Sequence, residues 1–405
     1  MGRVVVVTGA NSGVGLALAD QLAARAERAH ERLTLVLACR SAARAAAAQA
    51  QLQRAHPRCD VRVQQLDTSS VASVERAAAA LGAAFARIDV LACNAGAMPI
   101  AGLSAAGIAR GLLTHPVAFL ESSEALCQRR GLLSADGLGL TFQTNVFGHY
   151  LLIHRLLPAL ARAGGRVVWT GSAASRLDFA PADYQHVHGP TPYESSKHII
   201  DQIAAPLDAR LQKHGVHCYV VEPGNVCSAF MAAIGIPLFS GLVLVVFYLL
   251  RILAGIPRFT VTAECAAAAA PVYVALADTD DLDPRLKYYS CATRAGTPYV
   301  VPRPLASSEA TSAFLMDRLD SLVEKFSLKL GWADKDNQHI TTKAFIFGRM
   351  GCVMDKMGPL EDGHSIRALD QHTNTWEPVS RKDRVSKFMC LNALDPELHL
   401  SIWKD

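Results

Sequence analysis

The sequence predicts an α/β fold: a doubly wound parallel sheet of the dinucleotide-binding kind, with an apolar, membrane-associating insertion and a C-terminal extension. Three observations carry the prediction. An apolar run enters a glycine loop and then a helix, strand and helix signals alternate through the first 221 residues, and the composition can cover a sheet on both faces. The 405 residues are 51% apolar, enough for one large domain with extensions and not demanding two.

The elements follow in order. Residues 4–7 form a continuous apolar strand, the loop Thr8-Gly9-Ala10-Asn11-Ser12-Gly13-Val14-Gly15 follows, and residues 14–28 form a helix. Strands at 33–38, 61–66, 88–93, 166–170 and 217–221 have the short apolar character of a buried parallel sheet. A helix at 42–53 and one from Tyr193 to about residue 213 supply crossovers, which sheet chirality makes right-handed. The alanine runs at 77–80 and 266–270 read as helices, and no internal repeat is present.

Composition excludes some roles. A net charge of +4 with no basic stripe argues against nucleic acid as a partner. The ten cysteines, among them Cys39, Cys93, Cys127, Cys218 and Cys265, show no paired metal-ligand spacing and read as buried thiols in a reducing compartment. The first strand begins too early for a signal peptide to precede it, so a membrane address is expected further along.

Glycine at 9 allows the tight turn after the strand, while Gly13 and Gly15 let backbone and helix approach a pyrophosphate. The helix N-terminus then offers N–H groups to the phosphates. Where an NAD site places a carboxylate at the end of the second strand, this chain has Cys39-Arg40-Ser41 with Arg44 nearby. A guanidinium suits a 2′-phosphate, which selects NADPH/NADP+. Asp67, ending the third strand, has two open readings: a hold on the adenine amino group or a cap for the next helix. Asn94-Ala95-Gly96 follows the fourth strand at its carboxyl end, where ligands sit in such sheets.

Tyr193 and Lys197 are four residues apart and share one helix face. An ammonium there can stabilise phenolate and make a phenol a usable proton donor to a developing alkoxide. Ser172 would give that oxygen a second donor, and Gly171 before it leaves a single hydroxyl candidate.

These motifs occur in one order: the Thr8 to Gly15 loop, Asn94-Ala95-Gly96, Asn145 in Thr144-Asn145-Val146-Phe147-Gly148, Ser172, Tyr193-x3-Lys197 and Pro223-Gly224. The pattern resembles the short-chain dehydrogenase/reductase superfamily, Rossmann-like in fold, over about residues 1–228. The resemblance implies that Tyr193 is the general acid/base, that Lys197 binds the nicotinamide ribose and lowers the Tyr193 pKa, that Ser172 orients the substrate carbonyl, and that Asn145 holds a relay water. It implies cofactor contacts from Thr8, Gly9, Asn11, Ser12, Gly13, Val14, Gly15, Arg40, Asp67, Asn94, Ala95, Gly96, Tyr193, Lys197, Pro223, Gly224, Val226 and Ser228. Two long stretches, residues 97–144 and 173–192, flank the expected mouth. With Asn145-Val-Phe-Gly-His-Tyr150, Trp169-Thr170, Asp183-Tyr184-Gln185-His186, Leu286-Lys287-Tyr288-Tyr289-Ser290 and Pro298-Tyr299-Val300 they resemble the 3-ketosteroid reductase group, over about residues 1–326. That group implies reduction of the 3-keto group left by sterol C4 demethylation, at the endoplasmic reticulum membrane with a cytosol-facing catalytic domain. A sterol ketone, membrane lipid and other sterol-synthesis enzymes are the partners implied.

Residues 236–250 are uncharged and apolar, and the run resumes at 252–256 after Arg251. Short of the roughly 20 residues that span a bilayer, it predicts a helix or hairpin dipping into one leaflet, with Arg251 snorkelling, or else a buried lid over the pocket. The organisation expected is a core at 1–228, a lid and membrane segment at 229–303 returning to the last strand, a C-terminal helix at 304–330, and a flexible extension at 331–405 with solvated His339, His364 and His372. Two other functions stay open. The retinol dehydrogenase group shares the Thr-Gly-Ala-Asn-Ser-Gly opening, and a noncatalytic NADP-binding scaffold could keep the fold without turnover.

Overall fold

A computed structural model describes residues 2–114, 119, 124–175, 181–226, 237–329, 367–370 and 375–378. The chain forms two compact units, Met1–Phe326 and Ser327–Asp405. In the first, β1 (Arg3–Thr8), β2 (Leu33–Cys39), β3 (Asp60–Gln65), β4 (Val90–Cys93), β7 (Arg166–Thr170), β8 (His217–Glu222), β9 (Leu286–Ala292) and β10 (Pro298–Pro304) make one sheet. Its order is β10-β9-β8-β7-β4-β1-β2-β3, and every pair except β10 with β9 is parallel. The antiparallel β10 departs from the expected all-parallel sheet because a short turn, with Gly296 at φ 91°, returns the chain directly beside β9. Two further strands, β5 (Ile100–Leu103) and β6 (Leu126–Gln128), pair as a small separate sheet inside the first insertion.

Side-chain alternation explains why the strands read as unbroken apolar runs. Val6, Leu91 and Trp169 face the helices Val71–Ala84, Gly148–Ala163 and Pro192–Leu211. Val5, Val7, Ala92 and Val168 face the helices Gly13–Ala29, Ala42–Ala55 and Ala270–Leu276. Both faces are therefore dry, and the ligand-binding edge is left at the strand ends.

The C-terminal helix, Glu309–Lys329, buries Leu315, Leu319 and Phe326 in the first of these layers. Its anchor follows from a proline. Pro206 inside the Tyr193 helix has no N–H for Gln202 O, and Ser312 Oγ donates to that carbonyl instead, at 2.7 Å.

Several local expectations change. The 77–80 alanine run lies inside one helix, but the run at 266–270 is split between Ala263–Ala268 and Ala270–Leu276. Pro271 cannot donate back along the helix, and Ser290 Oγ bridges the break by accepting from Ala270 N and donating to Ala266 O. Cys39, Cys93 and Cys218 are buried, Cys265 is half-buried, and Cys127 is exposed on β6. Arg251 does not snorkel: it is buried against the Tyr248 ring and donates to Thr260 O.

The apolar segment carries the helix Pro237–Ile252. Among the described residues no helix is long and apolar enough to cross a membrane. In the second unit the described residues are 327–329, which end the C-terminal helix, and two short antiparallel strands, Arg367–Asp370 and Thr375–Pro378. His339, His364 and His372 lie outside the described residues.

Candidate active site

At the carboxyl end of β1, Gly9 has φ 67° and Gly13 φ 56°, backbone that side-chain-bearing residues avoid. A Cβ on Gly15 would stand 2.4 Å from Asn94 Nδ2 and 2.7 Å from Gly9 O. The helix that follows has no acidic residue in its first turn, and its N-cap, Ser12, makes no side-chain capping bond. Its leading N–H groups are thus left facing the loop, which fits a pyrophosphate.

Thr8 and Asn94 join β1 to β4. Thr8 Oγ1 accepts from Asn94 N and Ala95 N, both at 2.9 Å, and Asn94 Nδ2 donates to Thr8 O at 3.0 Å. Arg40 and Arg44 are exposed at the end of β2, and Ser41 caps the next helix by accepting from Arg44 N. Both guanidinium groups fit an added phosphate there. Asp67 Oδ1 accepts from Ser69 N and Ser69 Oγ, so Asp67 braces a turn, and the cap of the following helix is Ser70.

Pro223 and Gly224 sit just past β8, with Gly224 at φ 79° and packed on Thr260. Val226 bridges to Val261 in parallel. Ser228 falls outside the described residues.

Asn145 lies in a five-residue π-turn, Gln143–Phe147, where Gly148 N–H reaches back to Gln143 O. Such turns release the regular helical ladder and collect at functional sites. Asn145 Oδ1 accepts from Ala97 N at 2.7 Å, and its Nδ2 donates to Ala97 O at 3.0 Å and Ser196 Oγ at 2.9 Å. A Cβ on Gly96 would sit 3.4 Å from Asn145 Oδ1 and 3.9 Å from Lys197 Nζ. The π-turn, the β4 loop and the Tyr193 helix therefore meet at one place.

Ser172, just past β7, hydrogen-bonds the Tyr193 hydroxyl, and the Lys197 ammonium lies 5.6 Å from the Tyr193 ring centroid. Lys197 is buried and donates to Thr170 O at 2.7 Å. Burial pushes the Tyr193 phenol up to about 12 against the Ser172 bond, and the Glu194 and Glu222 charges act in the same direction as burial. Burial, reinforced by Lys287, brings Lys197 down to about 8. The expected lowering of the phenol by Lys197 does not appear: desolvation, which disfavours phenolate, dominates, and the group that opposes it is Ser172. A raised phenol still suits reduction: the acid keeps its proton until a stronger base, an alkoxide, forms beside it.

Residues to which the motifs give no role complete the setting. Gln128 on β6 accepts from Tyr193 N at 2.9 Å and donates to Glu194 Oε2 at 2.6 Å, so the first insertion holds the start of the Tyr193 helix. The second insertion meets the first where Gly139 N donates to Gln185 Oε1 at 2.7 Å. His149 Nε2 lies 2.9 Å from Thr8 Oγ1 and its Nδ1 3.4 Å from Asn145 O, and burial brings it down to about 3, so it is neutral. Its place four residues after Asn145 was the available signal.

Comparison with known proteins agrees with this geometry. The profile of the family described as short chain dehydrogenase matches residues 3–235. The chain is 34% identical to the Homo sapiens 3-keto-steroid reductase/17-beta-hydroxysteroid dehydrogenase 7 over 79% of its own length and 93% of that protein's. It is 29% identical to the Saccharomyces cerevisiae 3-keto-steroid reductase ERG27, over 82% of this chain and 96% of that one. Among solved structures, a Pseudomonas aeruginosa RhlG/NADP active-site complex has a TM-score of 0.48 at 24% identity, covering 69% of this chain and 91% of that one. The family profile spans more than half of the chain and the relatives most of it; the chain belongs to the short-chain dehydrogenase family, as an oxidoreductase acting on the CH–OH/C=O couple.

Proposed function

We propose that this protein is an NADPH-dependent 3-ketosteroid reductase that converts the 3-keto group of a C4-demethylated sterol intermediate to the 3β-hydroxyl in sterol biosynthesis. The observation that carries the reading is the paired Ser172 and Tyr193 hydroxyls at the end of β7 with Lys197 behind them, in a chain whose relatives bear 3-keto-steroid reductase names. The glycine loop and the first-helix N–H groups would hold the pyrophosphate of NADPH, and Arg40 with Arg44 its 2′-phosphate. Bound NADPH supplies a hydride to the carbonyl carbon. Ser172 donates to the carbonyl oxygen and orients it, and Tyr193 gives its proton to that oxygen as alkoxide character develops. Lys197 holds a positive charge beside the phenolate left behind, and Asn145 fixes the loop that faces both.

The reaction takes place at the endoplasmic reticulum membrane, with the catalytic domain on the cytosolic side. What supports attachment is the Pro237–Ile252 helix, where Val245, Leu249 and Ile252 are exposed at i, i+4 and i+7, continued by exposed Leu253. One apolar stripe of that spacing suits insertion into a single leaflet, from which a sterol can enter directly. Flotation with phospholipid vesicles checks it: the parent should float and Val245→Asp/Leu249→Asp should not, while equal flotation of both defeats the attachment.

The catalytic reading is tested by NADPH oxidation with a 4-methyl-3-ketosterol and with all-trans-retinal, for the parent and Tyr193→Phe. The ketosterol should turn over in preference to retinal, and the variant should lose roughly 10²- to 10⁴-fold in rate. No ketosterol turnover by the parent rejects the function, and turnover untouched by Tyr193→Phe rejects the proton donor.

A further inference from the structure

Beneath Ser172 lies a buried ion pair that the steps above do not use. Lys287, on β9, and Asp201, on the Tyr193 helix, have side chains only 4% and 5% exposed, and Lys287 Nζ donates to Asp201 Oδ2 at 2.8 Å. The same ammonium donates to Ser172 O, also at 2.8 Å. Asp201 follows Lys197 by four residues and Tyr193 by eight, so all three fall on one side of their helix. A lysine is an odd occupant for a strand whose neighbours Tyr288, Ser290 and Cys291 pack into the fold.

Gly171 records the same arrangement from the other side. A Cβ there would stand 3.0 Å from Lys287 Cε, 3.3 Å from Lys287 Nζ and 2.9 Å from Val220 Cγ1. The glycine that leaves Ser172 as the single hydroxyl candidate is thus the space through which the lysine reaches the Ser172 carbonyl.

We propose that Lys287, held by Asp201, is a positioning residue for the reduction: it fixes the Ser172 main chain, and with it the Ser172–Tyr193 hydroxyl pair, and sets the electrostatics behind Lys197. A buried lysine is retained at a desolvation cost when paired and hydrogen-bonded, and here both bonds point at the catalytic strand end. The inference rests on the reductase reading for its chemistry. Around the two ammonium groups stand Tyr193, His198 and Asp201 from the catalytic helix, His149 from the Gly148–Ala163 helix, Glu222 from β8, Tyr289 from β9, and Arg258. Asp201 favours the Lys197 cation, and Lys287 opposes it more strongly. Removing the Lys287 charge therefore keeps Lys197 protonated to higher pH.

The test uses the full chain with Lys287→Met and the double variant Lys287→Met/Asp201→Asn. The single variant leaves a buried carboxylate uncompensated and can fail to fold, whereas the double variant removes both charges. With NADPH and a 4-methyl-3-ketosterol, kcat should fall on the order of tenfold to a hundredfold with KM for NADPH unchanged, as expected for a misplaced donor. The alkaline limb of the kcat profile should move to higher pH, further in the single variant than in the double. Titration of Lys197 by NMR of ¹³C-labelled lysine, assigned by loss of its signal in Lys197→Arg, should rise in the same order without any turnover. A folded double variant with parental kcat and a parental Lys197 titration overturns the proposal. A parent that reduces no ketosterol overturns the function instead, and the NMR titration still decides the role of Lys287.

Discussion

At the end of β1 the site is made of backbone: glycines with positive φ, free N–H groups at a helix start, and arginines left in solvent. At the ends of β7 and β8, beside the start of β9, it is made of ionisable groups drawn out of water: half-buried Tyr193 and buried Lys197, Asp201, Glu222 and Lys287. The difference follows from what each half would hold in the proposed reductase. A pyrophosphate keeps its charge throughout, so fixed dipoles suffice to hold it. A proton donor must change charge during the reaction, and its protonation is governed only where water is excluded. The first half should therefore respond to volume, the second to pH.

The largest effect expected from this contrast is Gly15→Ala. The new methyl would meet Asn94 Nδ2 at 2.4 Å and the Gly9 carbonyl at 2.7 Å, and the latter is backbone that cannot rotate away. Stability should fall by about 1–3 kcal/mol, as overpacking usually costs. NADPH affinity should fall with it, measured by urea unfolding and by quenching of protein fluorescence. Gly82→Ala is the control. Nothing lies within 4 Å of its Cβ position inside the Val71–Ala84 helix, and it should stabilise by roughly 0.5–1 kcal/mol. If Gly15→Ala behaves like Gly82→Ala, the loop is not held by close packing.

The catalytic half should break with alkali. Lys197 is brought down to about 8 and Tyr193 up to about 12, so as pH rises the ammonium loses its charge while the phenol still keeps its proton. The reduction rate should turn down near pH 8 and then fall by about tenfold per unit, the slope of a single titrating group. NADPH binding, resting on the glycine loop, should change far less over that range. A rate that stays level to pH 10 would remove Lys197 from the role given it.

These halves also differ in how far they could be read from sequence. The strand, loop and helix at residues 3–29 are contiguous, and so is the Tyr193–Lys197 spacing, so local periodicity was enough. Lys287 meets Asp201 only because β9 lies beside β8, and 86 residues separate the two. No spacing rule links such positions. Arg251 shows the same limit in reverse. Composition sends a lone arginine in an apolar run to solvent, but Tyr248 one turn back and the Thr260 carbonyl give it partners inside. The break at Ala269 was legible, since Pro271 stands two residues on; the alanine run around it outweighed that signal.

The smallest effect expected is Arg40→Ala, and it tests whether the backbone half uses any charge at all. Arg40 is exposed at the end of β2, where no acidic residue stands in Cys39-Arg40-Ser41 to receive a ribose hydroxyl. A solvated guanidinium on a phosphate gives up part of its attraction to screening, so the loss should be modest, about tenfold in KM for NADPH, near 1.4 kcal/mol. KM for NADH should stay put, because that cofactor offers no 2′-phosphate to the arginine. Raising the salt to about 1 M, where screening acts within about 3 Å, should shrink the gap between parent and variant. Equal changes for both cofactors would mean that Arg40 supports the loop rather than reading the phosphate, and discrimination would then rest on Arg44 alone.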